Sequence, residues 1–149
     1  MTDNDPRHSY GYQTRAAYRA FDRLLSQRLK PHGIKNGFWY VLRVLWEGDG
    51  MSQREVATAV NLTESTTKIT LDAMEEAGLV RRRRDSADRR RLRIYLAPRA
   101  KRLKAKLLPL ASALNAAAAQ GISKQDLGTY LKVTRKMQDN LRSARLKGG

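Results

Sequence analysis

Residues 81–96 read RRRRDSADRRRLRIYL. Within the 13 positions from Arg81 to Arg93 stand Arg81, Arg82, Arg83, Arg84, Arg89, Arg90, Arg91 and Arg93, broken only near Asp85 and Asp88. Guanidinium groups in such density neutralise phosphates, and a single one can enter a narrow minor groove. A charge run by itself is ordinarily a solvated face or a tail. A tail would not alternate, however, and here Leu92, Ile94 and Leu96 alternate with Arg91, Arg93 and Tyr95. That pattern predicts a β-hairpin with one face pinned to a core, its other face and its tip projecting arginines.

The elements before the hairpin supply a second set of polar side chains. SQRE at 52–55 is a capping box, with Ser52 as cap and Glu55 reaching back to the free amides. The short helix it opens is expected to end near Ala59. In VNLT, Thr63 can cap the next helix, which is expected to run to about Ala77 and stop at Gly78. Two capped helices around a short turn match a helix-turn-helix, whose second helix offers its N-terminal residues to base edges. Here those are Thr63, Glu64, Ser65, Thr66, Thr67 and Lys68. Alone, this is equally a capped helix in an all-α core. Followed at once by a basic hairpin it predicts a winged helix and DNA binding.

The flanking chain is helical by its periodicity. From about Tyr12 to Lys30, Ala17, Ala20, Phe21, Leu24, Leu25 and Arg28 recur at three-to-four spacing, and Pro31 and Gly33 stop the helix. FWYVLRVLWE, within about 36–47, is apolar nearly all round and predicts a buried central helix. After the hairpin, Pro98 suits a first helical turn, and Pro109 is expected to kink or loosen the helix reaching to about Gln120. A last helix begins at SKQD, and Leu127, Tyr130, Thr134, Met137, Leu141 and Ala144 form a short heptad-like seam. Residues 1–11 are expected to be a flexible N-terminus.

Bulk properties narrow the function classes. The net charge of +16 speaks of polyanionic partners, and a mean hydropathy of -0.63 suggests a thin core completed by a second subunit. Having no cysteine excludes disulfides, thiolate catalysis and cysteine-bound metals, and suits a reducing, cytoplasmic setting. The polar N-terminus has no apolar core of a secretory signal, and the uncharged run 107–123 is too short and polar to span a bilayer. Two distant histidines, no glycine-rich phosphate loop and no metal-ligand spacing argue against an enzyme, a resident cofactor or a metal. Membrane-surface binding through 99–110 lacks bulky apolar anchors. A general nucleic-acid-binding or nucleoid-type protein remains the alternative that the charge permits.

The stretch MSQREVATAVNLTESTTKITLDAMEEAGLVRRRRDSADRRRLRIYL resembles the winged helix of MarR (multiple antibiotic resistance regulator) transcription factors. LTEST opening the recognition helix, GLV closing it and DSADRR at the wing tip carry the resemblance, which extends over about residues 12–146. It implies a mostly α fold: a winged helix-turn-helix with a two-stranded wing over 49–97, flanked by a helical dimerisation region at 12–48 and 98–147. It also implies a homodimeric transcriptional regulator, a repressor by expectation, on a palindromic operator of double-stranded DNA. By position, Arg90 matches the arginine that enters the minor groove, Asp88 the carboxylate that holds it, and Ser65 and Thr66 residues that face the DNA. The expected DNA-binding set adds Ser52, Gln53 and Arg54 from the first helix, and Thr63, Thr67 and Lys68 from the second. Arg82, Arg84, Arg89 and Arg91 complete it from the hairpin. Two departures stand out. Lys68-Ile69 replaces the usual Thr-Arg, and Leu96-Ala97 replaces Leu-Thr, so the following helix relies on Pro98.

Family members often bind small aromatic acids between the helical frame and the winged helix. A pocket there would draw on Arg15, Tyr18, Arg19 and Asp22, and on His32, Phe38, Trp39 and Arg43, since an arginine beside aromatics suits a phenolic carboxylate. Each also has a plain alternative: Phe38 and Trp39 as core, Arg15 and Arg19 as surface, His32 as a turn residue. Between Asp88 and Asp126 no carboxylate occurs, while RAKRLKAK at 99–106 adds cations. That run is either an electrostatic skirt for DNA or a seat for an acyl-CoA effector.

Overall fold

The computed structural model describes residues 4–148. In chain order it contains α1 (Tyr10–Leu29), α2 (Asn36–Glu47), β1 (Met51–Ser52), α3 (Gln53–Ala59) and α4 (Glu64–Glu76). Then follow β2 (Val80–Arg84), β3 (Leu92–Leu96), α5 (Pro98–Ala119) and α6 (Lys124–Lys147). The chain is mostly helical and folds as two compact units, one up to Leu114 and one from Asn115. Among the described residues, no helix is long and apolar enough to cross a membrane.

Most helix ends follow from local chemistry. Ser9, Ser52, Thr63 and Ser123 each accept a backbone N–H from their helix's first turn. At Ser52 the box is reciprocal: its hydroxyl accepts the Glu55 N–H at 3.1 Å, and its own N–H donates to Glu55 Oε2 at 3.2 Å. α2 occupies the residues expected of it and buries Phe38, Trp39, Val41, Leu42 and Leu45. The N-terminus departs from expectation. Pro6–His8 form a 3-10 turn capped by Asp5, and α1 begins two residues early, at Tyr10 behind its Ser9 cap. α5 runs through Pro109 to Ala119 without interruption.

The core of the first unit gathers Leu25 and Leu29 of α1, the buried face of α2, and Val56, Leu71 and Met74 of the helix pair. Val80, Ile94 and Leu96 of the sheet and Ala100, Leu107 and Leu114 of α5 complete it. This core runs across the expected division of the chain at 49 and 97. Trp46 helps to join its parts: its ring meets Trp39 edge-on at 5.8 Å, and its Nε1 donates to the Ala100 carbonyl at 3.0 Å.

The expected two-stranded wing, β2 and β3, is joined by β1 into a three-stranded sheet. β3 lies in the middle, antiparallel to both β2 and β1, with Arg82 opposite Ile94 on one side and Met51 opposite Ile94 on the other. Two residues are too few to show alternation, so β1 leaves no periodic signal. It is held by its surroundings instead. Gly50 N–H donates to the Ile94 carbonyl at 2.9 Å, while Asp49 Oδ1 accepts from Gly50 N–H at 3.1 Å and from Leu96 N–H at 2.8 Å.

α6, in the second unit, has no buried residue, and Tyr130, Leu131, Leu141 and Leu146 are exposed. In the first unit α1 buries only Leu25 and Leu29 and leaves Tyr10, Tyr12 and Tyr18 exposed. The expected apolar stripes on these two helices therefore have little cover from their own units.

Gly50 combines a left-handed φ of +83° with a tight neighbour, since a Cβ there would lie 3.0 Å from Tyr95 Cε1. Gly78 also has a positive φ, +72°, but its Cβ would meet nothing within 4 Å. Gly50→Ala should therefore cost about 2 kcal/mol and Gly78→Ala about 1 kcal/mol. Urea denaturation at one protein concentration ranks the two, and equal losses would show that the Tyr95 contact relaxes freely.

Candidate nucleic-acid interface

The N-terminal ends of α3 and α4 and the tip of the wing open onto one cleft of about 460 Å³. Ser52, Gln53, Arg54 and Glu64 line one side, with Asp88, Arg90, Arg91 and Leu92 on the other. Helix-turn-helix and wing thus meet across a polar opening, bringing together residues that are far apart in the chain.

The helix-turn-helix side is built by its turn. Asn61 takes the left-handed region, φ 59°, and Leu62 N–H returns to the Ala57 carbonyl at 3.0 Å. Asparagine is among the few side chains that adopt this conformation readily. The turn delivers Thr63, whose Oγ1 accepts the Thr66 N–H at 3.2 Å and lies 3.2 Å from Ser65 Oγ and 3.0 Å from Thr66 Oγ1. Thr63, Ser65 and Thr66 therefore form one exposed hydroxyl cluster at the start of α4. Lys68 is also exposed, with its Nζ 3.0 Å from Asp72 Oδ2 one turn on.

Two residues of the expected DNA-contact set are taken up by the fold. Thr67 is fully buried, on the face of α4 that carries Leu71 and Met74, so it packs in the core. Ser52 is 2% exposed and its hydroxyl is committed to the capping box. For Thr67 the cause is helix geometry, since residues four apart share a face and Thr67 goes where Leu71 goes; Ser52 borders the cleft, but the cap uses its hydroxyl. Gln53 and Arg54 line the cleft.

The wing sorts its arginines by strand parity. Val80, Arg82 and Arg84 share the face of β2 that stands over Leu92, Ile94 and Leu96, while Arg81 and Arg83 share the other face with Tyr95. Arg82 therefore points inward, and its side chain is only 15% exposed. Its guanidinium pairs with Asp72 and lies 3.4 Å from Glu75 Oε1, while its backbone N–H donates to Glu75 Oε2 at 3.0 Å. The expectation of Arg82 as a phosphate contact is corrected: it braces the wing against α4. Arg84, by contrast, is exposed, its Nη1 donating to the Arg89 carbonyl at 3.0 Å.

Carboxylates shape the tip. Asp88 Oδ1 accepts both the backbone N–H and Nε of Arg90 at 3.1 Å, leaving the Arg90 side chain 91% exposed. This is a presented guanidinium held at its base. Asp85 accepts the Ala87 N–H at 2.8 Å and Arg93 Nε at 2.7 Å, and Arg93 Nη1 reaches the Gly50 carbonyl at 2.8 Å. Arg91 lies 3.4 Å from Glu55 of α3, and Arg89 is exposed. Asp72, Glu75, Asp85, Glu55 and Arg93 were absent from the expected set. Parity on β2 was the available signal for an inward arginine, and an inward arginine requires acidic partners.

The carboxyls of Asp72, Asp85 and Asp88 lie below their ordinary pKa. For Asp72 the largest cause is the hydrogen bond from Lys68, followed by that from Arg82; for Asp88 it is the Arg90 side chain. For Asp85 it is the Ala87 amide, followed by Arg93.

The expected ligand-binding residues divide into groups. Phe38 and Trp39 are 7% and 5% exposed and belong to the core, with Arg43 stacked over the Trp39 ring at 5.7 Å. His32 lies in the 3-10 turn Lys30–His32, and Arg15 and Arg19 are on the exposed side of α1. Tyr18 and Asp22 do come together, and they meet Tyr40 of α2, a residue missing from the expected set. Burial first, then Tyr18 and Asp22, pushes the Tyr40 phenol up to about 12. Asn36 Nδ2 ties α2 to the Asp22 carbonyl at 2.8 Å.

Because Arg82 is largely buried between two carboxylates, Arg82→Ala should cost about 1–3 kcal/mol in denaturant stability, while the exposed Arg81→Ala should cost almost nothing. A depressed carboxyl pKa contributes stability above the ordinary value near 4 and loses it as pH falls through the folded value. Asp72→Asn should thus be less stable than the parent at pH 7 and converge with it once the pH has fallen below the lowered carboxyl pKa. A gap that persists in full through acid titration would show that the carboxylate charge is not what holds the wing.

Residues 36–92 match the MarR family. The HTH-type transcriptional regulator TtmR of Methylorubrum extorquens is 36% identical over 92 residues, which cover 62% of this chain and 47% of TtmR. The match thus spans about half the length of that relative. The S. aureus MepR–DNA complex matches with a TM-score of 0.82 at 22% identity, covering 89% of this chain and 98% of MepR. BpsR of Bordetella bronchiseptica, whose DNA binding is regulated by 6-hydroxynicotinic acid, matches with a TM-score of 0.82 at 21% identity, covering 89% and 94%. At such identities the two structures establish a shared fold. The helix-turn-helix and the wing tip lie inside the 36–92 segment that matches the MarR family, and the fold around that segment is the one seen in MepR.

Proposed function

We propose that this chain is a transcriptional regulator that binds double-stranded DNA sequence-specifically as a homodimer, acting as a repressor on a palindromic operator in the cytoplasm. The observation that carries this reading is the Arg90 guanidinium, held at its base by Asp88 and presented across one cleft from the start of the helix-turn-helix. Exposed hydroxyls of Ser65 and Thr66 suit a major groove, and the arginine suits the adjoining minor groove. MepR, with the same fold, is seen on DNA.

Dimerisation is supported by the weakly covered apolar stripes of α1 and α6. Release by a small anionic aromatic acid or its CoA thioester is supported by the Tyr18–Asp22–Tyr40 cluster beside Arg15 and Arg19, and by the ligand that regulates BpsR. A ligand loosens DNA only by favouring a dimer whose recognition helices are wrongly spaced. Arg15→Ala or Arg19→Ala should keep DNA affinity and raise the ligand concentration needed for release. A thermal-shift screen of aromatic acids and their CoA thioesters supplies the ligand.

The net charge of +16 alone would favour general nucleic-acid binding. A salt titration on selected and scrambled duplexes separates the two readings. Arg84→Ala should weaken both duplexes alike and lower the salt slope by about one. Arg90→Ala should cost about 1–3 kcal/mol on the selected duplex and narrow its advantage. Equal losses for both variants on both duplexes would leave only charge. For the dimer, Leu127→Lys combined with Leu141→Lys should give monomer or aggregate, and sedimentation showing a stable wild-type monomer at micromolar concentration would overturn the assignment.

A further inference from the structure

α4 carries an isoleucine where burial gives it nothing to do. Ile69 is 70% exposed. Single exposed apolar side chains are ordinary on protein surfaces, so exposure alone means little. Its position on the helix is what matters. Thr67, Leu71 and Met74 form the buried line of α4, and at 3.6 residues per turn the opposite line runs through Ser65, Ile69 and Glu76. Ile69 is thus at the crown of the helix, on the ridge that would lie deepest in a groove, one turn after the exposed hydroxyl cluster.

The other residues of α4 limit how bases can be read. Its sequence, ESTTKITLDAMEE, has no arginine, asparagine or glutamine, the side chains that read guanine or adenine through paired hydrogen bonds. Lys68, the one guanine-reading cation on the helix, lies about a quarter turn off this ridge and is paired with Asp72, which Arg82 shares. What the ridge offers is a hydroxyl at Ser65 and a branched hydrocarbon at Ile69. The feature of a base-pair edge that complements hydrocarbon is the 5-methyl group of a pyrimidine.

We propose that Ile69 is a specificity-determining residue that packs against the 5-methyl group of a thymine in the major groove. This rests on the DNA-binding reading above and adds to it one base identity and its reader. A thymine methyl and the methyl of 5-methylcytosine offer the same chemistry, and unmodified DNA supplies the first.

The test uses the full chain and a duplex that it selects from a randomised pool. Each thymine of that duplex is replaced in turn by deoxyuridine, which lacks only the methyl. Wild type should lose roughly fourfold in affinity at one thymine per half-site, the ratio expected for one buried methyl-sized group. Ile69→Ala should bind the parent duplex more weakly and be indifferent to that same replacement, while Ile69→Val should remain sensitive. Substitution at so exposed a site leaves the core intact, and circular dichroism melting checks this. Wild type indifferent to every replacement overturns the proposal, as does Ile69→Ala that still senses the methyl. A gain on cytosine methylation with no response to deoxyuridine would assign the contact to 5-methylcytosine and overturn the thymine reading. Failure to select any consensus would instead sink the sequence-specific reading itself.

Discussion

The wing stays where it is because one arginine faces the wrong way. Strand geometry turns Arg82 toward the apolar side of the sheet, opposite the fully buried Ile94. A cation there would be costly without a partner. Asp72 and Glu75, three residues apart on α4, receive it, and Glu75 also takes the Arg82 backbone N–H. Side-chain and main-chain bonds therefore run from the same helix face to the same strand residue. Hydrophobic burial brings sheet and helix together, and this bonded group sets the angle between them.

The remaining positive charge is arranged rather than merely accumulated. Arg93 is anchored on Asp85 and the Gly50 carbonyl, and Arg91 leans toward Glu55. Arg90 meets Asp88 through its backbone N–H, its Nε and, at 3.4 Å, its Nη2, while its side chain stays 91% exposed. The few carboxylates of this strongly basic chain thus divide its arginines into those that build the wing and those that it presents. Asp88 takes the backbone N–H and Nε of Arg90 on Oδ1 and Nη2 on Oδ2, so the direction of the guanidinium is set before any partner arrives.

Much of this was legible in the sequence because local signals agreed. The capping box at Ser52, the caps at Thr63 and Ser123, and the alternation of Leu92, Ile94 and Leu96 all lead to the observed elements. The bounds of α2 follow from its apolar run and the glycines after it. What was illegible is what depends on packing between elements. β1 is too short to carry a pattern and exists because β3 offers it a free edge. Tyr40 joins Tyr18 and Asp22 only after α1 and α2 have packed. Thr67 and Arg82 illustrate another kind of difference: chemical type suggests DNA contact, whereas spacing from Leu71 and from Val80 places both on the inner face.

Asp49 sits where the chain enters the winged helix, and Leu96, whose N–H it accepts, sits where the chain leaves. The loop between them is closed at its neck like a purse. Just outside that neck, Trp46 at the end of α2 is bonded to Ala100 in the first turn of α5. A shift of α2 against α5 would therefore have to break or carry with it two bonds at the neck, Trp46 to Ala100 and Leu96 to Asp49, and this ties the orientation of the winged helix to that of the helices that flank it.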